Sequence, residues 1–306
     1  MIEPAKACSR RHFMRAGGLA CAAAATGAID VRPASSRSDL SGEIGITTSS
    51  IDAHIGSTSA GGKIAIMDLP RIMREELDMR VIDLNSNTLA KAGARIEEFR
   101  RQVRKAGCVV TNLKMNQKGL DMNSPDKAVR TKALAVYKKS IEDAARVGSP
   151  WARPLPLPPL PDMRIHVDSY RALADHGGKH GVGMLVENYG WMQADPDSVP
   201  RLIERIDRDV KATPDTGNWN SDEIRYEGLR RAFPHAISCD FKAKAMGPQG
   251  EHKAYDLKRC FDVGWKSGFR GPWCLEHANR DRAKLFAELR LLRDSIREWT
   301  RQKTRK

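Results

Sequence analysis

Aromatic residues make up only 6% of this 306-residue chain. Nowhere do they alternate with basic residues, which excludes the stacking surface of a single-strand nucleic-acid binder. There are 6 cysteines and none in C-x-x-C spacing, which excludes a zinc finger or ribbon. No apolar run is long enough to span a bilayer; the stretch at 16–28 is short and built from small residues. Histidine is scarce too, at 8.

What the chain has is charge. Charged residues are 29% and hydrophobic residues 41% of the total, the balance of a soluble globular protein. A single α/β barrel of about 250 residues would account for nearly all of it. The formal net charge of +14 invites a nucleic-acid partner. Residues 1–28 carry Lys6, Arg10, Arg11 and Arg15 against Glu3, so without them the charge is 14 − 3 = +11. Most of the remainder lies in mixed-sign helical stretches such as 95–105 and 280–306, which read as solvated helix faces. No nucleic-acid partner is expected.

The N-terminus has the form of an export signal. Ser9-Arg10-Arg11-His12-Phe13-Met14-Arg15 precedes the small, uncharged stretch at 16–28. The paired arginines followed by Phe13 resemble the twin-arginine signal of bacteria. The expectation is a signal at 1–28 and a Ser/Arg-rich linker at 29–42. Export by the twin-arginine machinery would place the protein in the periplasm or outside the cell, with no stable membrane insertion after signal removal. Cys8 and Cys21 would leave with the signal. Cys108, Cys239, Cys260 and Cys274 sit in apolar runs and read as buried thiols. A Cys239–Cys274 disulfide stays open, because those strands would be neighbours in a barrel.

From residue 43 onward, strand-like and helix-like stretches alternate. Strands are expected at 43–47, 80–84, 108–114, 151–155, 182–187, 211–215, 236–242 and 272–276. Helices are expected at 69–77, 94–105, 126–147, 167–179, 198–208, 221–232, 256–267 and 280–301. Eight such units close a barrel, so the expected fold class is α/β, a single-domain (β/α)8 TIM barrel over 43–306. The fourth strand is the weakest. Prolines crowd 154–161, so it should stop near Arg153.

Four of the strands end on a carboxylate: Glu187, Asp215, Asp240 and Glu276. The intervals are 215 − 187 = 28, 240 − 215 = 25 and 276 − 240 = 36, about one strand plus one helix each. Parallel strands bring their carboxyl ends to one mouth of the barrel. Four acids there repel one another unless a cation sits among them, so the spacing points to a divalent-metal site. Alternation agrees with this. Ser238, Asp240 and Lys242 share one face of their strand, opposite Ile237, Cys239 and Phe241. Asn112 and Lys114 likewise oppose Val109, Thr111 and Leu113.

Glu187-Asn188, Asp215-Thr216-Gly217-Asn218, Asp240-Phe241-Lys242 and Gly271-x-Trp273-x-x-Glu276-His277, in that order, resemble the xylose-isomerase-like TIM barrels of the sugar-phosphate isomerase/epimerase superfamily. The similarity covers about 43 to the C-terminus and is clearest from 181 to 277. In that family a Glu, an Asp, a His and a Glu at strand ends bind one divalent metal. The resemblance implies Glu187, Asp215 and Glu276 as three of these ligands. Asp240 stands where family members often carry histidine. The all-oxygen set favours Mg²⁺ or Mn²⁺ over Zn²⁺.

The implied activity is isomerisation or epimerisation of a sugar or sugar-like polyol. Protons would move next to a carbonyl through an enediolate, with Glu187 and Glu276 as acid and base. Arg153, Lys242, Asn188 and His277 would contact the substrate, and Trp191 and Trp219 are candidates for stacking on it. Related endonuclease-type barrels use several zinc ions and many histidines, so scarce histidine argues against DNA repair. The same barrel also hosts lyases, dehydratases and hydrolases, and a non-catalytic sugar-binding protein would keep the same mouth.

Overall fold

The computed structural model describes residues 39–155, 157, 159–247 and 250–305. The expected signal at 1–28 and most of the expected linker lie outside the described residues. Eight strands form one parallel sheet: β1 (Ile44–Thr47), β2 (Val81–Asn85), β3 (Val109–Met115), β4 (Trp151–Pro154), β5 (Gly183–Val186), β6 (Val210–Ala212), β7 (Cys239–Lys242) and β8 (Trp273–Glu276). Each is followed by a helix: α1 (Leu69–Glu75), α2 (Ile96–Lys105), α3 (Lys127–Val147), α4 (Met163–Lys179), α5 (Ser198–Ile206), α6 (Asp222–Ala232), α7 (Leu257–Lys266) and α8 (Arg282–Thr304). The sheet runs β6-β5-β4-β3-β2-β1-β8-β7. Between its two ends, isolated parallel bridges join Ala212 to Ala236 and Asp215 to Asp240. The fold is therefore the expected (β/α)8 barrel.

β6 is shorter than the sequence suggests, and proline explains it. Pro214 cannot donate to a ladder. Its carbonyl still accepts from the Asp240 backbone at 2.8 Å, which helps close the barrel. Helix starts follow their caps. Asp126, Asp162, Ser221, Asp256 and Asp281 each accept a backbone N–H of the helix they precede. The Asp162 cap starts α4 at Met163 rather than at the expected 167, directly after the proline run.

Strand alternation divides the interior. Phe241 and Trp273 face outward, their rings 5.6 Å apart, and pack with Phe261 of α7 and Trp299 of α8. This apolar layer carries much of the stability, since burying one such ring contributes about 1.5–3 kcal/mol. Cys239 shares that outward face, whereas Cys274 lies beside inward-facing Asp240 in the register. Opposite faces rule out a disulfide, and all four described cysteines are free and buried.

One buried histidine links the fold to pH. His166 on α4 is fully buried and its Nδ1 lies 2.5 Å from the Asn123 side-chain oxygen. Burial pushes it down to about 4 from its ordinary 6.5. The unfolded chain therefore takes up a proton near pH 6.5 that the folded chain refuses until about pH 4. This contribution is whole above pH 6.5 and is lost as pH falls toward 4, about 3 kcal/mol in all. The stability difference between wild type and His166→Phe, read from urea unfolding at several pH values, should change by that order across the window. A difference that stays flat would remove His166 from the acid response.

Candidate active site

Eight charged side chains meet at the carboxyl ends of the strands. Five are acids: Asp83 (β2), Glu187 (after β5), Asp215 (after β6), Asp240 (β7) and Glu276 (β8). Three are bases: Lys114 (β3), Arg153 (β4) and Lys242 (β7). With all of them ionised the cluster sums to 3 − 5 = −2. The Nζ of Lys242 is 2.8 Å from Asp215 Oδ2 and 3.3 Å from Glu276 Oε1. Arg153 Nε is 2.9 Å from Glu187 Oε2. Lys114 bonds Asp240 and stands 3.6 Å from Asp83.

Burial makes these charges consequential. Lys114, Arg153, Glu187, Asp215 and Asp240 are all less than 5% exposed. Desolvation alone would lower Lys114, but Asp240 and Asp83 outweigh it and raise its pKa. Desolvation raises Asp240 well above the usual carboxylate range. Lys114 opposes that, while Glu187, Asp83 and Glu276 reinforce it. Asp215 is pushed up to about 6 by burial, with Lys242 opposing and Glu276 and Glu187 adding. Burial would raise Glu187 too, yet Arg153, Lys114 and Lys242 overcome it and hold Glu187 below its usual value. In contrast to Asp215 and Asp240, Glu187 is thus held as an anion.

The turn after β6 shows why its sequence is Asp-Thr-Gly-Asn. Asp215 Oδ1 accepts the backbone N–H groups of Gly217 at 2.6 Å and Asn218 at 3.1 Å. Thr216 Oγ1 accepts the backbone N–H of Lys242 at 2.9 Å, tying the turn to β7. A Cβ on Gly217 would come within 2.6 Å of the Lys242 Cδ. Glycine is needed there so that the Lys242 stem can cross the turn and reach Asp215. Asn218 then donates to Glu187 Oε1 at 3.0 Å and accepts from Lys242 Nζ at 3.0 Å.

These groups frame a cavity of about 140 Å³. Its walls include Lys114, Arg153, Glu187, Lys242 and Glu276, and its rim Tyr189. Asp215 and Asp240 do not line it. The structure brings Glu187, Asp215 and Asp240 together, with one oxygen from each within 4.8 Å of the others. Glu276 lies at the rim, joined to Lys242.

Four residues expected near the substrate make contacts elsewhere in this structure. Asn188 does not line the cavity; its side chain bonds the Asp215 N–H and C=O and the Asn218 carbonyl, bracing the turn. His277 is buried away from the cavity, with Nδ1 2.9 Å from the Ala243 carbonyl and Nε2 2.8 Å from Glu288. Trp219 packs over Gly228, where a Cβ would meet its ring at 2.3 Å, and Trp191 stands edge-on to His166 at 5.9 Å.

Two members of the cluster, Asp83 and Lys114, were not singled out as site residues in the sequence. The signal was present: Val81-Ile82-Asp83 is another apolar run reaching a carboxylate.

The donor set suits a divalent cation. Asp240 Oδ2 is buried and makes no hydrogen bond, and Glu187 Oε2 faces the Arg153 guanidinium at 2.9 Å without hydrogen-bond geometry. A buried carboxylate oxygen left without a hydrogen bond is costly unless a cation satisfies it. With every acid ionised, one doubly charged ion would also cancel the −2.

Residues 75–303 match the family model described as xylose isomerase-like TIM barrel. No curated protein matches the chain. Among solved structures, a xylose isomerase-like TIM barrel protein from Mycobacterium smegmatis in complex with magnesium is 20% identical, covering 75% of this chain and 86% of that one, with TM-score 0.54. D-psicose 3-epimerase with D-tagatose from Clostridium cellulolyticum H10 is 15% identical, covering 84% and 98%, with TM-score 0.65. The 3-keto-D-glucoside 4-epimerase from E. coli is 15% identical, covering 83% and 99%, with TM-score 0.64. At these identities the likeness is one of fold.

Proposed function

This chain belongs to the xylose isomerase-like TIM barrel family, and we propose that it is a metal-dependent isomerase or epimerase of a sugar or sugar-like polyol. The observation that carries this reading is the pair of carboxylates in one cavity. Glu187 and Glu276 both line it, from the ends of β5 and β8, three strands apart around the closed barrel. Carboxylates set apart in this way can address two sides of a small bound molecule.

Glu187, Asp215 and Asp240 would hold the ion, with Glu276 approaching from the rim. All-oxygen ligation favours Mg²⁺ or Mn²⁺ over Zn²⁺. When bound, such an ion polarises carbonyl and hydroxyl oxygens next to the reacting carbon. Glu187, held as an anion, is suited to take a proton from that carbon. Glu276, in its protonated form, would return one on the other side, leaving its carboxylate beside the Lys242 ammonium. Lys242 and Arg153 can donate to substrate oxygens as charge develops on them. Proton abstraction next to a carbonyl has a direct signature: a substrate carbon-bound hydrogen exchanges with solvent. Ketoses, aldoses and polyols incubated with the protein in heavy water and read by NMR test this. Binding of a panel member without exchange or turnover would favour a non-catalytic sugar-binding protein instead.

The metal is tested separately. Millimolar Mg²⁺ or Mn²⁺ should raise the melting temperature by mass action. Asp240→His combined with Lys114→Gln should shift that stabilisation toward Zn²⁺ or Co²⁺, because imidazole is a softer ligand than carboxylate. A preference untouched by the substitution would take Asp240 out of the ion's reach.

Export by the twin-arginine route, with a periplasmic or extracellular destination, is part of the same proposal. It is supported by Arg10-Arg11 and the small-residue stretch behind them. Replacing both arginines with lysine should keep the protein in the cytoplasm on fractionation. Undiminished export of that variant would defeat the assignment.

A further inference from the structure

We propose that Glu142, His176 and His180 form a separate binding site for a transition-metal ion of the Zn²⁺, Co²⁺ or Ni²⁺ class, on the outside of the barrel, where the ion would clamp α3 to α4. His176 and His180 are four residues apart, so α4 and its C-terminal end present them one turn above the other. Their rings lie 4.8 Å apart between centroids. Glu142 meets them from α3, its Oε1 3.5 Å from His176 Nε2. One donor atom from each of the three lies within 4.8 Å of the others. Ligand atoms around a tetrahedral ion sit about 3.3 Å apart, so rotamer adjustments of about an ångström complete the geometry.

The chemistry of the donors selects the ion. Two imidazoles and one carboxylate suit a borderline metal and leave a fourth position open to solvent. Mg²⁺ has little affinity for imidazole. His176 Nε2 is buried and makes no hydrogen bond, with the Glu142 carboxylate 3.5 Å away, so the neutral ring protonated on Nδ1 presents a lone pair to an ion there. Burial, with His180 and Lys138 adding, lowers the His176 pKa against the opposing Glu142, which favours the neutral, ligating ring. The competing cation is Lys139, 3.3 Å from Glu142 Oε2. It is 63% exposed and has Asp143 at 3.6 Å as a second partner, so it can release Glu142 at little cost.

The site is distinct from the barrel mouth, whose cavity has no histidine among its described lining residues. Calorimetric titration of the untagged full chain with Ni²⁺, in excess Mg²⁺ to occupy the mouth, tests the proposal. One Ni²⁺ per chain should bind in the micromolar range. His180→Ala removes an exposed side chain whose ring contact is with His176, and should weaken uptake about tenfold or more. Glu142→Gln should weaken it less. Glu187→Gln should leave it unchanged, because that residue belongs to the mouth. Zn²⁺ should raise the melting temperature of wild type and not of His180→Ala. Equal Ni²⁺ uptake by wild type and His180→Ala, or no uptake by wild type, overturns the proposal.

Discussion

Glu187→Gln and Glu276→Gln should each remove turnover while leaving the barrel folded. Glutamine keeps the shape and the hydrogen-bonding reach of the side chain but carries neither the proton nor the charge. Acid–base groups of this kind typically contribute about 10²–10⁴-fold to a rate, so a loss of at least that order is expected. Glu276 gives the cleaner test. Its side chain is 23% exposed and its only ion-pair partner among the described residues is Lys242, which keeps Asp215. Glu187 is the partner of buried Arg153, so its variant needs a parallel unfolding measurement. Both variants should also lose exchange of a substrate carbon-bound hydrogen with deuterated solvent. Exchange that survives in either variant would show that another group moves that proton. Turnover by wild type without any exchange would point to a hydride shift or a hydrolysis in place of an enediolate.

The barrel itself was legible because eight apolar runs alternate with eight amphipathic ones, the pattern of a helix-covered parallel sheet, and eight units are the number that closes it into a barrel. The strand-end acids were legible for a related reason. A carboxylate that ends an apolar run needs a polar or charged partner, so it marks the strand end where the barrel gathers such partners. Alternation failed where the backbone departs from it. Between β2 and β3 the register shifts at Asp83. Both Thr111 and Asn112 then donate to the Asp83 carboxylate, although strict alternation puts them on opposite faces. Asp83 itself was hidden because Leu84 follows it and the run does not stop there. His277 was placed near the substrate by adjacency alone. It follows a mouth residue, but its ring bonds the Ala243 carbonyl and Glu288. No sequence pattern distinguishes a histidine that faces a substrate from one that closes a loop. Which lysine pairs with which acid was also not readable, since Lys114 and Asp240 are 126 residues apart and meet only once the barrel closes.

That pair supplies the second large effect, and it has two signs. Lys114→Met should destabilise the protein by about 3–5 kcal/mol, the usual result of leaving a buried charge without its partner. Asp240 and Asp83 are both fully buried, and Lys114 is the only cation among the described residues that pairs with either. Adding Asp240→Asn should recover much of the loss, because removing both partners of a buried pair is far less harmful than removing one. Urea unfolding of the wild type, the single and the double variant measures this directly. A Lys114→Met protein as stable as wild type would mean that the pair is solvated rather than buried. With every acid ionised, the same substitution takes the mouth from −2 to −3. If Glu187, Asp215 and Asp240 hold a divalent ion, that ion should bind Lys114→Met more tightly than wild type, although the variant is the weaker fold. The rise in melting temperature produced by Mg²⁺ should therefore be larger in the variant. An equal or smaller rise would show that the ion, wherever it binds, does not sense Lys114, and would separate the cation site from the Asp240 carboxylate.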